Sequence, residues 1–298
     1  MDLYFMLFPV SSWSLRGLTN LWGKDAPDID AGQAREEWLR LAEGIEALGG
    51  KVAVLPPDDA LPGLPFAAEA GHALMPRTPG AKMRFLLPRM KLEHRKAERD
   101  KWAPFVERLG FETVEIGAGA WEGQGDVARL GALTFLFWGV RTDRAGAEAA
   151  RSHFDGETML IEVWEPAFHG DMALLPLEHA RSLVVCVDVI DDDSLALLEA
   201  RLGRDRLLFV SEEELHDHAL NVLPIGDTLL APTGLPARVR RLFERNDMKV
   251  VELDMPELRE KAGSATRCLV CKVEGTPDDL VIPEEHRLSV FAREIRKG

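Results

Sequence analysis

The feature that most constrains this chain is a phrase it repeats: an amphipathic helix, a Gly or Asn turn, and a short β-branched strand. It reads EEWLRLAEGIEALGGKVAVLPP, ERDKWAPFVERLGFETVEIG, RAGAEAARSHFDGETMLIEVWEP, DDSLALLEARLGRDRLLFVS and LPARVRRLFERNDMKVVELD. In the first copy Trp38, Leu41, Ile45 and Leu48 fall at three- and four-residue steps, the stripe of a half-buried helix. Gly or Asn ends each helix where a left-handed residue is wanted. The strands start near Lys51, Glu112, Glu157, Arg206 and Lys249. That spacing, about 45 to 60 residues, marks a repeated supersecondary unit.

After each repeated strand comes an irregular segment and then a further strand or two: RFLLPRM, LTFLFW, MALLPL with SLVVCVDV, DTLLAP, and CLVCKV. No linker or low-complexity stretch separates the copies, and Pro56 to Pro65 reads as a loop inside the first unit. The chain is therefore expected to be a single mixed α/β domain over residues 1–298. Five units that must each bury a sheet face can close into a ring with the helices outside, so that equivalent segments meet at the axis.

The opening MDLYFMLFPVSSW is apolar but has no basic region or small-residue cleavage site, and reads as a buried strand ended by Pro9. No stretch approaches the roughly 18 apolar residues of a membrane span. Three cysteines without a secretion signal point to free thiols and a cytoplasmic location. With 36 basic against 50 acidic residues, net −14, and no Lys/Arg-rich run, a nucleic-acid partner is not expected. A cationic small molecule suits that field better.

The segments that follow the repeated strands carry the chemistry. They offer Glu69 in PFAAEAG, Glu122 and Asp126 in WEGQGDV, His169 and Asp171 in AFHGDM, Asn221 in HALNVLP, and Cys268 in GSATRC. In a closed ring these groups would face one another. A thiolate is a nucleophile, and a neighbouring histidine can take or return protons. Acyl transfer would need donors for an oxyanion, which carboxylates repel. Carboxylates match the rigid donor fork of a guanidinium, whose central carbon is electron-poor enough for thiolate attack. The substrate expected is a guanidine or amidine.

Other readings of these cysteines and histidines carry less. Cys268 and Cys271 have no second pair for zinc, and a redox dithiol would open a helix. The alternation in RCLVCKVEG puts Cys268 and Val270 on one strand face and Cys271 on the other. Cys186, in SLVVCVDV, reads as a buried strand thiol, and His216 and His218 in EELHDHAL as a solvated helix end. No metal and no cofactor is expected.

In order along the chain, WEGQGDV, WGVRTD, FHGDM and GSATRC resemble the motifs of the guanidino-group-modifying superfamily, which includes arginine deiminases, dimethylarginine dimethylaminohydrolases and amidinotransferases. The resemblance implies a five-bladed α/β propeller, the pentein fold. It implies that Cys268 attacks the guanidinium carbon to form a covalent thiouronium, and that His169 serves both half-reactions as acid and base, oriented by Glu122. Glu69, Asp171 and Glu122 would hold the guanidinium nitrogens, with Asp126 beside them; Arg141, and Arg95 in EHRKAE, would grip a substrate carboxylate. The implied activity is hydrolysis of arginine or an arginine derivative. Amidino transfer to an amine, and a non-catalytic binding propeller, are the alternatives. A homodimer is compatible with either.

The chain departs from the family at two places. Glu69 stands where the family has Asp or Asn, and Gly63 where some dimethylarginine hydrolases have a further acid. The site residues also have ordinary alternatives: Cys268 as a buried strand thiol, His169 as a hydrogen-bonded loop histidine, Glu69 facing solvent, Glu122, Asp126 and Asn221 holding turns, Arg141 starting a helix before Asp143, and Arg95 and Glu98 as helix-face charges.

Overall fold

The computed structural model describes residues 2–7, 28–61, 63–76, 78, 80–276 and 280–297. Its strands, in chain order, are β1 (Leu3–Leu7), β2 (Lys51–Leu55), β3 (His72–Leu74), β4 (Arg84–Leu87), β5 (Glu112–Glu115), β6 (Val127–Leu130), β7 (Leu133–Gly139) and β8 (Glu157–Val163). They continue as β9 (Leu174–Leu177), β10 (Ser182–Cys186), β11 (Leu207–Val210), β12 (Leu223–Ile225), β13 (Thr228–Pro232), β14 (Lys249–Leu253) and β15 (Cys271–Val273). Pro9, expected to end the first strand, lies outside the described residues.

These strands form five three-stranded sheets: β15-β1-β2, β3-β4-β5, β6-β7-β8, β9-β10-β11 and β12-β13-β14. In each, the middle strand pairs antiparallel with an inner strand and parallel with an outer one, as in β6–β7 (Val127 opposite Leu136) and β7–β8 (Leu133 beside Glu157). A parallel pair needs a crossover, and each unit supplies a helix for it. These helices are Ala31–Ala47, Arg99–Arg108, Arg144–Arg151, Asp192–Leu202 and Ala237–Glu244. The strands of the repeated phrase are the outer ones, so the period read from the sequence is the period of the blade.

The first sheet has a different history from the others. Its inner strand comes from the far end of the chain, with Leu3 of β1 opposite Val273 of β15 and beside Lys51 of β2. One sheet thus joins both ends of the propeller, and the five blades close on one another. Middle strands such as LYFM in β1 and RFLL in β4 are buried throughout, because helices cover one face and the adjoining blade the other. Phe5 meets Phe85, Phe105 and Phe111 with centroids 5.7, 5.3 and 5.9 Å apart, tying the first two blades together.

Two local expectations change. The apolar stripe of the first helix ends at Ile45, since Leu48 is 36% exposed. In the fifth turn the left-handed residue is Asp247, with φ 58°, and not the preceding Asn246. Asp tolerates that region nearly as well as Asn, which is why sequence alone does not separate the neighbours. Among the described residues no helix is long and apolar enough to cross a membrane.

Candidate active site

The chemistry-bearing segments occupy one recurring place, the link between the outer strand of one blade and the inner strand of the next. Glu69 lies in a short turn of helix (Ala67–Ala70) before β3, and Glu122 just ahead of another (Gly123–Asp126) before β6. His169 opens Gly170–Ala173 before β9, Asn221 precedes β12, and Cys268 precedes β15. The first two segments touch through Gly123, with φ 67°: a Cβ there would stand 2.7 Å from Gly71 N and 2.9 Å from Glu69 O. Only glycine allows that approach.

Cys268 does not lie in a strand, contrary to the alternation argument. It sits in a turn over Thr266–Leu269, and β15 begins at Cys271. The turn is shaped by side chains: Asn221 Oδ1 accepts from Ala265 N at 3.1 Å and Cys268 N at 3.2 Å, and Thr266 Oγ1 donates to Leu230 O at 2.6 Å. Asn221 Nδ2 also donates to Cys268 Sγ at 2.9 Å, so its role exceeds turn-holding. The thiol points to Asp171 Oδ2 at 3.7 Å. Cys268 O accepts from Ala68 N at 3.0 Å, which fixes the cysteine beside the Glu69 turn.

His169 stands between two carboxylates. Its Nε2 is 2.8 Å from Glu122 Oε2, and its Nδ1 is 3.2 Å from Glu69 Oε1 but off the line of a good hydrogen bond. Glu122 Oε1 accepts from Lys91 N at 3.0 Å, and Arg141 Nη1 lies 3.3 Å from Glu122 Oε2. Burial alone would raise the Glu122 pKa. The hydrogen bond and charge of His169, with Arg141 and Arg95, outweigh that and hold it well below the usual carboxylate range. Asp171 shifts the other way, raised by burial despite Arg267 and His169. The Cys268 thiol is also raised, by burial first and then by the charge of Asp171; Asn221 and Arg267 offset part of this. Without a cation beside it, the sulfur keeps its proton.

Five expected site residues therefore converge: Cys268, His169, Glu122, Glu69 and Asp171, all buried. Arg141 joins their edge, stacked 5.4 Å from the Phe168 ring. Two assignments need correction. Asp126 is a scaffold: Oδ2 accepts from Thr142 Oγ1 at 2.6 Å and Oδ1 from Gly170 N at 2.9 Å, so both oxygens hold protein groups and not substrate. Arg95 does not present itself to a carboxylate on a ligand. It is buried and bound to Glu69, to both oxygens of Glu98 at 2.7 Å, and to Gly63 O at 2.9 Å. The longer Glu69 reaches this guanidinium while facing His169. A Cβ at Gly63 would lie 2.3 Å from Glu98 Oε1, so the Arg95–Glu98 pair takes up the room of a side chain there.

Asn221 is the residue of this cluster that the sequence undervalues; its only signal is a place in the repeat equivalent to that of His169. Cys271 and Cys186 are buried, each with its thiol pushed up to about 12, chiefly by burial. His216 is a half-exposed helix end, as expected, but His218 is buried and lowered to about 4 by that burial. No group of three or more His, Cys, Asp or Glu among the described residues is arranged to hold a metal.

No protein-family model matches the chain. It is 26% identical over 269 residues to an N(G),N(G)-dimethylarginine dimethylaminohydrolase of Mycobacterium tuberculosis, covering 89% of this chain and 84% of that one. An uncharacterized protein of Caenorhabditis elegans is 23% identical over 248 residues, 82% and 85% of the two chains. Among solved structures, the N-terminal domain of ArgZ with a covalently bound reaction intermediate superposes with a TM-score of 0.83 at 22% identity, covering 92% of this chain and 98% of that one. ArgZ is described as an arginine dihydrolase of the cyanobacterial ornithine–ammonia cycle. A dimethylarginine dimethylaminohydrolase carrying an S-methyl-L-thiocitrulline adduct superposes at 0.71 with 20% identity, over 91% and 99% of the chains. The fold is a five-bladed α/β propeller, shared with these solved structures.

Proposed function

We propose that this propeller hydrolyses the guanidino group of arginine or an arginine derivative through a covalent adduct on Cys268. One observation carries the reading: a buried thiol and imidazole share their site with three carboxylates, Glu69, Glu122 and Asp171. Such a site repels a developing oxyanion and attracts a planar cation. The likeness to arginine dihydrolase and dimethylarginine dimethylaminohydrolase supports the same choice.

The burial that protonates the thiol in the free protein gives the substrate a part in its own activation. A guanidinium beside Cys268 supplies the missing positive charge and favours the thiolate, the thiol proton passing to solvent as the cation binds. Sγ then bonds to the central carbon. The C–N bond breaks as the imidazolium of His169, held by Glu122, gives its proton to the departing nitrogen, which leaves as neutral ammonia or alkylamine. Water next adds to the thiouronium carbon, giving one proton to His169; the C–S bond then breaks as the hydroxyl proton passes to the departing sulfur, releasing a neutral ureido product and restoring the thiol. Asp171 and Glu69 hold the guanidinium nitrogens. Arg141 keeps one donor on Glu122 and offers its others to a substrate carboxylate.

Incubating the protein with arginine, methylarginines, agmatine and guanidino acids in ¹⁸O-water, with and without glycine or ornithine, tests this. Label in a ureido product is expected, and Cys268→Ser should abolish it. A new guanidino compound formed only with the added amine would replace hydrolysis by amidino transfer.

A further inference from the structure

A cavity of about 490 Å³ runs along the propeller axis, lined from every blade: His72 on β3, Arg129 on β6, Leu175 on β9, Leu223 on β12 and Lys272 on β15. We infer that it is a back door to the site, bringing water to the carbon held on Cys268 and carrying ammonia or alkylamine away. The inference rests on the hydrolytic reading above.

Of the groups gathered round the thiol, Asp171 alone borders this cavity. Asp171 thus stands as the wall between the two spaces. Oδ2 faces Cys268 Sγ at 3.7 Å, while Oδ1 is shut off from water and has no hydrogen-bond partner among the described residues. An unpaired carboxylate oxygen is where this wall yields most easily to a small donor molecule. The chemistry asks for such a route. Between the two half-reactions an amine must leave and water must enter at one carbon, while the rest of the substrate still fills its own way in.

The lining carries both signs, Arg129 and Lys272 against Asp155, Glu178 and Glu274, so the charge that selects is the one at the thiol end. Arg267, next to Cys268 in sequence, lines the cavity and is fixed by bonds from Nη1 to Val270 O (2.8 Å) and Nη2 to Gln124 O (3.3 Å). Its guanidinium acts on Asp171. A fixed cation there admits neutral water and ammonia and rejects guanidinium, as charged collars do in selective pores. The substrate cannot escape or enter by this side.

Filling the cavity tests the route without touching the catalytic groups. Ala128 on β6 and Ala73 on β3 both line it. In Ala128→Phe and Ala73→Phe/Ala128→Phe, rapid quenching during arginine turnover should show the Cys268 adduct accumulating, with kcat reduced about tenfold or more. The rate of adduct formation and the labelling of Cys268 by 2-chloroacetamidine should stay within about twofold. Should the aromatic variants not fold, Ala73→Leu/Ala128→Leu is read by the same criteria. Unchanged kcat and adduct lifetime in a folded, filled variant would overturn the back door. Failure of the wild type to form an adduct with any guanidine would instead overturn the hydrolytic reading.

Discussion

The amide of Asn221 donates from Nδ2 to the sulfur of Cys268 at 2.9 Å, while its Oδ1 holds the backbone of the same turn. One side chain thus positions the nucleophile and favours its charged form. Hydrogen bonds to charged groups contribute about 1.5–3 kcal/mol, so Asn221→Ala is expected to lower kcat about 10- to 100-fold. The alkaline limb of the pH–rate profile should move upward, because the thiolate loses a donor. Asn221→Asp, which adds a carboxylate beside the sulfur, should be worse. A purely structural role would change Tm without moving the profile.

Cys268 and Asp171 form the second coupled pair. Because burial and then Asp171 raise the thiol, the free protein should react slowly with neutral iodoacetamide at neutral pH, and faster as pH rises. Cationic 2-chloroacetamidine should label Cys268 well ahead of Cys186 and Cys271. Asp171→Asn separates the effects: losing the carboxylate lowers the thiol pKa and speeds iodoacetamide, but removes attraction for the cation and slows chloroacetamidine. Mass-spectrometric labelling rates that move together in this variant would break the argument.

Thr142 links three backbone segments through one hydroxyl. It accepts from Glu122 N at 3.0 Å and donates to Asp126 Oδ2 at 2.6 Å, and Asp126 in turn holds Gly170 N next to His169. Thr142→Val keeps the shape but leaves a buried N–H and a buried carboxylate oxygen unpaired. A loss of about 2–4 kcal/mol in urea denaturation is expected. Thr142→Ser should cost under about 1 kcal/mol, since the hydroxyl remains.

The blade was legible because helix period, turn and strand recur together, and each outer strand begins at or next to the residue the pattern marks. Cys268, His169, Glu122, Glu69 and Asp171 were legible by place, since each precedes an inner strand. What stayed hidden depends on three-dimensional pairing. Arg95 and Glu98 look like surface helix charges at i and i+3, and only the fold buries them against Glu69 and Gly63. RCLVCKV alternates like a strand, yet Asn221 and Thr266 bend its start into the turn that aims the thiol. Asp126 differs from Glu122 only in what lies opposite, Thr142 and Gly170 against His169 and Arg141.

Asp126 also gives the protein a pH signature. Burial raises its pKa from the ordinary 3.8 to about 6 in the folded state, despite His169, Thr142 and Gly170. A folded-state pKa above the unfolded one means the native protein binds the proton more tightly. Its contribution is full below the unfolded pKa and is lost as pH rises through about 6. A tenfold difference in proton affinity is worth about 1.4 kcal/mol, so the full loss is about 3 kcal/mol, of which about 2 falls between pH 4 and 7 because the unfolded carboxyl is already more than half ionised at pH 4. Glu122, held low in the fold, has the opposite sign at lower pH, where it adds stability as it ionises. The difference between wild type and Asp126→Asn removes that common background. The asparagine variant should gain about 2 kcal/mol on the wild type from pH 4 to pH 7 in urea denaturation. A constant difference over that range would mean that Asp126 is already ionised in the fold at pH 4.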